Sequence, residues 1–352
     1  MDSITHALLG TTIAEAAFRE KLGGRALVVG AVLGVLPDLD IFTRLAGPWE
    51  GLKYHRGPTH SLIVLALVSP VIGWLFWLWT RKQGRHTHRE QASLWSWICL
   101  TFLALFQNPL LDLLTSYGTQ LFWPVTTRRF AIDAVGIIDP LYTLPLLVAV
   151  VVACVPGIRR ISRTFAACVL VLTTGYLGFG FLEMERARSL ASAQVQREHF
   201  PARLVRATPM LLTNNLVWRV IASDEHGNLR VGFVSTWKPR EIRFHALDRP
   251  TNPLVQEALQ SENGRIFQWF ADGLVSAHVQ REGTGIAVIL EDQRYGTVTD
   301  PTTSFFAAAA LFDASGRLSG VHLIHSSRAI HFREELSAAW KLLRGEETES
   351  PK

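Results

Sequence analysis

Histidine and aspartate residues recur in the first part of the chain in a pattern that can bind metal ions. The candidate ligands are His6, Asp38, His55, His60 and Asp112. Mixed imidazole and carboxylate ligands suit zinc, manganese or iron, and a carboxylate shared by two ions serves a two-metal hydrolase. Such a site makes hydroxide near neutral pH. We therefore predict a divalent metal site, with zinc favoured and manganese or magnesium as alternatives.

The local sequence predicts how some of these side chains are held. Pro58 suits a first helical turn, so His55 is expected in a loop and His60 near a helix N-terminus. Asp38 and Asp40 follow a proline, and residues two apart in an extended segment point the same way. We therefore expect the two carboxylates to face the site together.

Three further residues are candidates for catalysis. Asp40 or Asp139 could orient the attacking water as a base, although Asp139 immediately precedes a proline and could instead cap a helix. Arg56 could hold an anionic group during phosphoryl transfer, and Arg128 and Arg129 could assist it or extend to lipid headgroups. The catalytic candidates are therefore Asp40, Asp139 and Arg56.

Apolar segments determine where these residues lie. A hydrophobic content of 48% and a positive mean hydropathy favour a membrane protein. Four segments approach the roughly 20 apolar residues that cross a bilayer. They are about 62–80, 93–114, 141–155 and 164–182. Ionisable side chains at membrane depth are costly unless paired or bound, so the histidine and aspartate set is a candidate functional site.

The N-terminal stretch before these spans is also apolar. Ile4–Phe18 is amphipathic and Ala26–Leu36 is too short to cross alone. Together they form either a re-entrant pair of half-helices or a hairpin on the membrane surface. The fold class predicted for this part is an α-helical integral membrane domain with about four spanning helices and this additional pair.

Basic loops predict the orientation. Residues 81–89 and 159–163 are rich in arginine and lysine and lie on the same side of four spans, which places them in the cytoplasm. The metal ligands and the residues after Glu183 are then extracytoplasmic. The net charge of +5 is spread over short clusters, so nucleic acid is not an expected partner.

The C-terminal part changes to alternating strands and turn signals from about residue 203. Predicted strands are Leu216–Ala222, Leu229–Thr236, Gly285–Leu290, Phe305–Phe312 and Gly320–Ile324, and predicted helices are Leu254–Gln260 and Glu334–Leu343. The predicted organisation is a membrane-embedded domain over 1–185, a linker over 186–202 and an extracytoplasmic α+β soluble domain over 203–352.

Several motifs taken together resemble a known family, the bacterial inner-membrane, metal-dependent hydrolases called YdjM-like. They are Met1–His6 with Gly10, Leu36–Asp40, His55–Ser61, Asp112–Gly118 and Ile138–Pro140. The resemblance runs over about residues 1–180. It implies a multi-pass protein of the bacterial inner membrane with hydrolase activity, and it does not specify a substrate.

A weaker similarity is to the zinc phospholipase C and P1 nuclease group, helical enzymes that cleave phosphate esters. It implies metal ligation by His6, Asp38, His60 and Asp112. That group also uses its N-terminal residue as a ligand, for which we expect no counterpart, and has a histidine where this chain has Asn108. Position 108 lies one helical turn before Asp112, on the same face. We therefore expect one or two ions rather than three.

These observations predict a membrane-bound, metal-dependent hydrolase that cleaves a phosphate ester, in one form a phospholipid or other lipid-linked ester of the surrounding bilayer. The alternative is a non-enzymatic membrane protein with a structural metal site and a partner-binding C-terminal domain. A transporter is less favoured because the polar residues gather at span ends. A ligand position open to water favours the enzyme, and a closed four-ligand site favours the structural alternative.

Overall fold

A computed structural model describes residues 1–82, 93–210, 215–247, 249–282, 285–325 and 332–346. The chain forms two compact units, Met1–Phe179 and Gly180–Lys352. The first is helical and the second contains two antiparallel sheets. The predicted fold class, a helical membrane region followed by an α+β region, is confirmed.

The first unit is built of helices, the last of which continues into the second unit. They are α1 (Ser3–Ala17), α2 (Arg19–Leu22), α3 (Arg25–Val35), α4 (Pro48–Tyr54), α5 (Leu62–Lys82), α6 (Leu94–Leu113), α7 (Pro140–Cys154) and α8 (Arg159–Arg197). A 3₁₀ segment, Leu36–Leu45, extends α3, and a short one, Pro58–His60, precedes α5. Asp2, Ser93 and Asp139 cap α1, α6 and α7 by accepting backbone N–H groups, which explains where these helices begin.

Within the described residues, four helical stretches are long and apolar enough to cross a membrane. They are Arg25–Leu45, Leu62–Lys82, Leu94–Leu113 and Ile161–Arg197. The predicted number of four spanning helices is confirmed, but Arg25–Leu45 takes the place of the predicted span 141–155. α7 has only 15 residues, about 22 Å of helix against a hydrocarbon core of about 30 Å. The apolar run that begins at Ala26 was predicted to be too short to cross alone. It becomes long enough to cross because the 3₁₀ segment continues the helix to Leu45.

Helices α1 and α3 pack with their backbones in contact. A Cβ atom on Gly30 would lie 2.4 Å from the carbonyl oxygen of Gly10, and one on Gly34 would lie 2.4 Å from that of His6. Small residues permit such close approach between helices in a bilayer. The contact fixes His6 on α1 beside the end of α3, directly before the segment that carries Asp38.

Polar contacts anchor α1 near both of its ends. Near its start, the hydroxyls of Thr5 and Thr143 lie 2.7 Å apart. Beyond its end, Arg19 donates to the carbonyl oxygen of Ala153 at 2.7 Å, and Ser162 donates to the buried carboxylate of Glu15 at 2.6 Å. Burying such groups is costly unless they are hydrogen-bonded. These contacts therefore fix α1 against α7 and the start of α8.

The second unit contains two four-stranded antiparallel sheets with neighbouring strands in chain order. The first has β1 (Leu204–Pro209), β2 (Val217–Ser223), β3 (Leu229–Ser235) and β4 (His245–Leu247); the second has β5 (Val275–Glu282), β6 (Gly285–Asp292), β7 (Phe306–Phe312) and β8 (Leu318–His325). The helices are α9 (Pro253–Gln260), α10 (Glu262–Phe270) and α11 (Phe332–Arg344). All predicted strands and helices are confirmed. The sequence analysis missed β1, β4, β5 and α10, which lack long apolar runs.

We predict that Gly30→Ala destabilises the first unit, because the new methyl group must displace the backbone of Gly10. Overpacking of this kind costs about 1–3 kcal/mol. Gly175→Ala is the matched control, since a Cβ there meets nothing within 4 Å. Thermal unfolding of the purified protein in detergent measures the difference. Equal melting temperatures for the two variants would contradict the backbone contact between α1 and α3.

Candidate metal centre

Four of the predicted ligands converge at one end of the helical bundle. His6 lies on α1, Asp38 on the longer 3₁₀ segment, His60 just before α5 and Asp112 near the end of α6. His6, Asp38 and Asp112 each offer a ligand atom within 4.8 Å of the others. The Nε2 atom of His60 lies 3.4 Å from Asp38 Oδ1 and 3.3 Å from Asp112 Oδ2. The side chain of Asp38 is 11% exposed, and the other three are fully buried.

Gln107, which lies on α6, orients His6. Its Nε2 atom faces the carbonyl oxygens of His6, Gly34 and Ala104 at 3.2–3.3 Å, so this end of the amide is the donor. Its Oε1 atom, 3.4 Å from His6 Nδ1, is then the acceptor. Nδ1 of the imidazole therefore donates to Gln107, and Nε2 lies 3.2 Å from Asp112 Oδ1.

Asp40 orients His60 in the same way. Its Oδ2 atom lies 3.1 Å from His60 Nδ1, which therefore carries a hydrogen. Its Nε2 atom then faces Asp38 and Asp112. A carboxylate that holds the far nitrogen of a metal-binding histidine is a recurrent arrangement in metalloproteins, where it fixes the tautomer and the ring orientation.

The two inner carboxylates also have outer partners. Asn108 donates to Asp38 Oδ1 at 3.0 Å and Ser3 donates to Asp38 Oδ2 at 2.7 Å. Arg56 Nε lies 2.8 Å from Asp112 Oδ2. The position of Asn108 confirms that this residue and Asp112 share the face of α6 towards the site.

The amino group of Met1 contacts Asp112 Oδ1. The expectation that the chain has no N-terminal metal ligand stays a prediction.

The cluster buries two carboxylates, which repel one another unless positive charge lies beside them. Arg56 and the amino group of Met1 lie against Asp112. His60 Nε2 and Asn108 Oδ1 have no hydrogen-bond partner among the described residues, although His60 Nε2 lies close to two carboxylates. Burial alone would lower the pKa of His60, but the carboxylates of Asp112, Asp38 and Asp40 outweigh it and raise the pKa to about 10. A proton can supply the positive charge, and a set of two imidazoles and two carboxylates also fits a divalent ion.

His55 and Asp40 have different positions from those predicted. The two aspartates lie on a 3₁₀ helix rather than an extended segment, so Asp38 faces inwards and Asp40 lies behind His60. His55 is not among the converging ligands; its Nδ1 atom lies 2.6 Å from Asp40 Oδ1. Asp40 Oδ2 also accepts from Thr59 and from the backbone of Arg56, each at 2.8 Å. Asp40 therefore contacts two histidines, and its role in orienting the attacking water stays a prediction.

Among the described residues, Asp139 has no side-chain hydrogen bond or ion pair with the four converging residues. One carboxylate oxygen accepts the N–H groups of Leu141 and Tyr142 at 3.0 and 3.2 Å, and the other accepts the hydroxyl of Tyr176 at 2.7 Å. Asp139 is therefore a helix cap, the alternative that the sequence left open, and its catalytic role stays a prediction.

Arg56 and Arg129 were predicted to hold an anionic group, and both guanidinium groups bond to other protein groups. Arg56 is buried, and in addition to Asp112 it donates to the hydroxyl of Thr115 at 2.8 Å. Arg129 donates to the carbonyl oxygens of Tyr117 and Gly118 at 3.2 and 2.7 Å. Both guanidinium groups therefore bond to protein groups, and Arg56 lies against Asp112. That Arg56 holds an anionic group stays a prediction.

Sequence reasoning missed Gln107 and Ser3 as outer partners. Gln107 precedes Asn108 within an apolar helix, and uncharged polar residues there are costly unless they bond to something, so this pair was a detectable signal. Ser3 gave no comparable signal because a serine near a helix start is ordinarily a cap.

Comparison with known proteins assigns a family. A family model described as "YdjM inner membrane protein" matches residues 1–187. The protein named "Uncharacterized protein YfhP" from Bacillus subtilis (strain 168) is 24% identical over 197 residues, covering 54% of this chain and 57% of the relative. "Inner membrane protein YbcI" from Escherichia coli (strain K12) is 32% identical over 130 residues, covering 36% of this chain and 69% of the relative.

No solved structure matches this chain. The family model covers more than half of the sequence. The chain therefore belongs to the YdjM inner membrane protein family.

We predict that Asp40→Asn weakens zinc binding ten- to a hundred-fold, the usual effect of losing the outer partner of a metal-binding histidine. Asp139→Asn is the matched control, because asparagine also caps helices and residue 139 lies outside the cluster. Zinc titration of the metal-depleted protein in detergent measures both affinities. Equal affinities would show that Asp40 does not support a ligand.

Proposed function

We propose that this member of the YdjM family is a membrane-bound, metal-dependent hydrolase that cleaves a phosphate ester. The ligands to the metal, with zinc favoured, would be His6, Asp38, His60 and Asp112. The observation that carries the proposal is that each of these four residues has an outer partner: Gln107 for His6, Asn108 for Asp38, Asp40 for His60 and Arg56 for Asp112. Such support is typical of metal sites and is not required of a chance polar cluster.

When bound, the ion would lower the pKa of a water molecule and polarise a phosphoryl oxygen. Side chains of the protein would carry out the remaining steps. Asp40 connects two histidines through its two oxygens, with Oδ2 beside His60 and Oδ1 beside His55. The short contact to Asp40 fixes the hydrogen of His55 on Nδ1, so its Nε2 atom is turned away from Asp40. The ring centroids of His55 and His60 lie 6.4 Å apart.

His55 is the residue that we assign to proton transfer. Its side chain is 16% exposed, whereas His60 is fully buried. Burial also lowers the pKa of His55 despite the neighbouring carboxylate of Asp40, which favours the neutral form that accepts a proton. A histidine oriented by a carboxylate in this way can act as a general base for water or a general acid for the leaving alcohol.

Arg56 completes the arrangement as a positioning residue. It neutralises Asp112, and its guanidinium lies 4.9 Å from the ring centroid of Tyr117. The positive charge of Arg56 thereby offsets the negative charge of Asp112 without a bound ion.

The alternative function is a structural metal site in a protein whose C-terminal domain binds a partner. One observation favours it: two histidines and two carboxylates are sufficient to close a tetrahedral zinc site. The pairing of His55 with Asp40 favours the enzyme, because a closed structural site has no use for an additional oriented histidine.

Membership of an inner membrane family and four apolar helices support a membrane location. We further propose that the metal centre and the C-terminal domain are extracytoplasmic. The support is the basic character of residues 81–89 and 159–163. Most of the first loop lies outside the described residues, so this proposal rests on sequence alone.

We predict that His60→Ala and Asp38→Ala each remove bound metal and abolish phosphate ester cleavage. His55→Ala should retain the metal and lose about a hundred-fold or more in turnover, as loss of a general base does. His226→Ala, at an exposed turn of the second unit, is the control. Elemental analysis and a screen of phosphomonoesters, phosphodiesters and phospholipids measure both properties.

The outcomes of this experiment separate the two functions. Unchanged metal content in both His60→Ala and Asp38→Ala would reject the site. Metal that depends on these residues in a protein that cleaves none of the esters would support the structural alternative.

The orientation predicts different labelling of two single-cysteine variants, Lys82→Cys at the end of α5 and Glu225→Cys in the C-terminal unit. Both positions are exposed. In a background without the three native cysteines, a membrane-impermeant thiol reagent applied to spheroplasts should label position 225 only. Labelling at 82 and protection at 225 would place the site in the cytoplasm.

A further inference from the structure

The 3₁₀ segment Leu36–Leu45 has two chemically different faces. Asp38 points from it into the candidate metal centre, and Asp40 contacts His60 from behind. On its other side the segment exposes large apolar side chains, which we call the outer face: Leu39 (49% exposed), Ile41 (45%), Phe42 (62%) and Leu45 (86%). A single layer of chain therefore separates the ligands from an apolar surface.

The exposed edge of the cluster lies at this segment. Asp38 is the one of the four converging ligands with exposed side-chain surface. Its Oδ2 atom accepts a hydrogen bond from Ser3, which is itself exposed. The next residues in the chain are Ile4, 70% exposed, and Leu39. A molecule that approaches Asp38 from outside therefore meets apolar side chains on both sides.

The outer face belongs to a candidate membrane span, so we expect lipid around it. The segment belongs to Arg25–Leu45, one of the four stretches able to cross a membrane. Arg44, on the same segment, is exposed beside Leu45. A cation at the edge of an apolar surface matches the anionic headgroup of a lipid whose chains lie along that surface.

We propose that the substrate is a lipid whose phosphate ester enters the site beside Ser3 and Asp38 while its hydrocarbon chain lies on the outer face. This inference rests on the proposed function and specifies its substrate class. A water-soluble ester would bury none of the outer face, whereas a lipid chain keeps that face in an apolar environment throughout.

The first test measures binding without relying on catalysis. The photoreactive residue p-benzoylphenylalanine replaces Leu39, and as a control replaces Leu172, which is 63% exposed on α8. Both proteins are zinc-loaded in nanodiscs of phosphatidylcholine containing a minor share of dioleoyl phosphatidic acid. Phosphatidic acid should be enriched above its bulk share among adducts at position 39 and should match its bulk share at position 172. Adducts at 39 that follow the bulk composition would overturn the proposal.

The second test compares two substrates with the same headgroup, dioleoyl phosphatidic acid in vesicles and the water-soluble dibutyryl compound. Leu39→Ser and Phe42→Ser should lower kcat/KM for the long-chain ester about tenfold and leave the short-chain value within about twofold, because only the long chains reach the outer face. Leu172→Ser should change neither value. Equal losses for both substrates, or no loss for either, would contradict the proposal.

The two tests also separate this inference from the function on which it rests. Selective adducts at position 39 in a protein that cleaves neither ester would reject the hydrolase and retain the lipid-binding surface. Cleavage of the soluble ester with unselective adducts would retain the hydrolase and reject the lipid substrate.

Discussion

The structure depends on one electrostatic constraint, the burial of two carboxylates and two imidazoles at one end of a helix bundle. Asp112, His6 and His60 are fully buried, and Asp38 nearly so. Charges removed from water are tolerated only when they are paired or bound to an ion. Arg56 and the amino group of Met1 lie against Asp112 and compensate part of this charge. A proton on His60, or the metal ion that we propose, would compensate the rest.

The fold meets this constraint by bringing helix ends together and fixing them there. Backbone contact through Gly10, Gly30 and Gly34 sets α1 against α3, and Gln107 bonds to the carbonyl oxygens of both His6 and Gly34. The ligands are thus attached to rigid elements and oriented by a second set of residues. A site held in this way can bind an ion without reorganisation, which is the condition for a preorganised catalytic centre.

The sequence was sufficient to predict four side chains that converge in the structure, but it could not separate them from the residues that support them. His6, Asp38, His60 and Asp112 could be found because ionisable residues are expensive at the ends of apolar segments. Asp40 could not be distinguished from Asp38, since only the 3₁₀ geometry places one before and one behind His60. The assignment of His55 as a ligand was wrong in position for the same reason.

Length and hydropathy gave the number of spanning helices but not their identity. The continuation of α3 depends on the path of the chain after Pro37, which periodicity does not reveal, and α7 is apolar yet short. Strands in the second unit were predictable where side chains alternate. β5 was missed because its sequence contains several polar residues.

The most direct test of the central claim is X-ray absorption spectroscopy at the zinc edge of the purified, zinc-loaded protein. The account predicts a first shell of two imidazole nitrogens at about 2.0–2.1 Å and carboxylate or water oxygens at about 2.0–2.2 Å. It also predicts that substitution of His6 or His60 by alanine removes one imidazole contribution or the metal itself. A shell without imidazole, or zinc that stays unchanged when these histidines are replaced, would contradict the account.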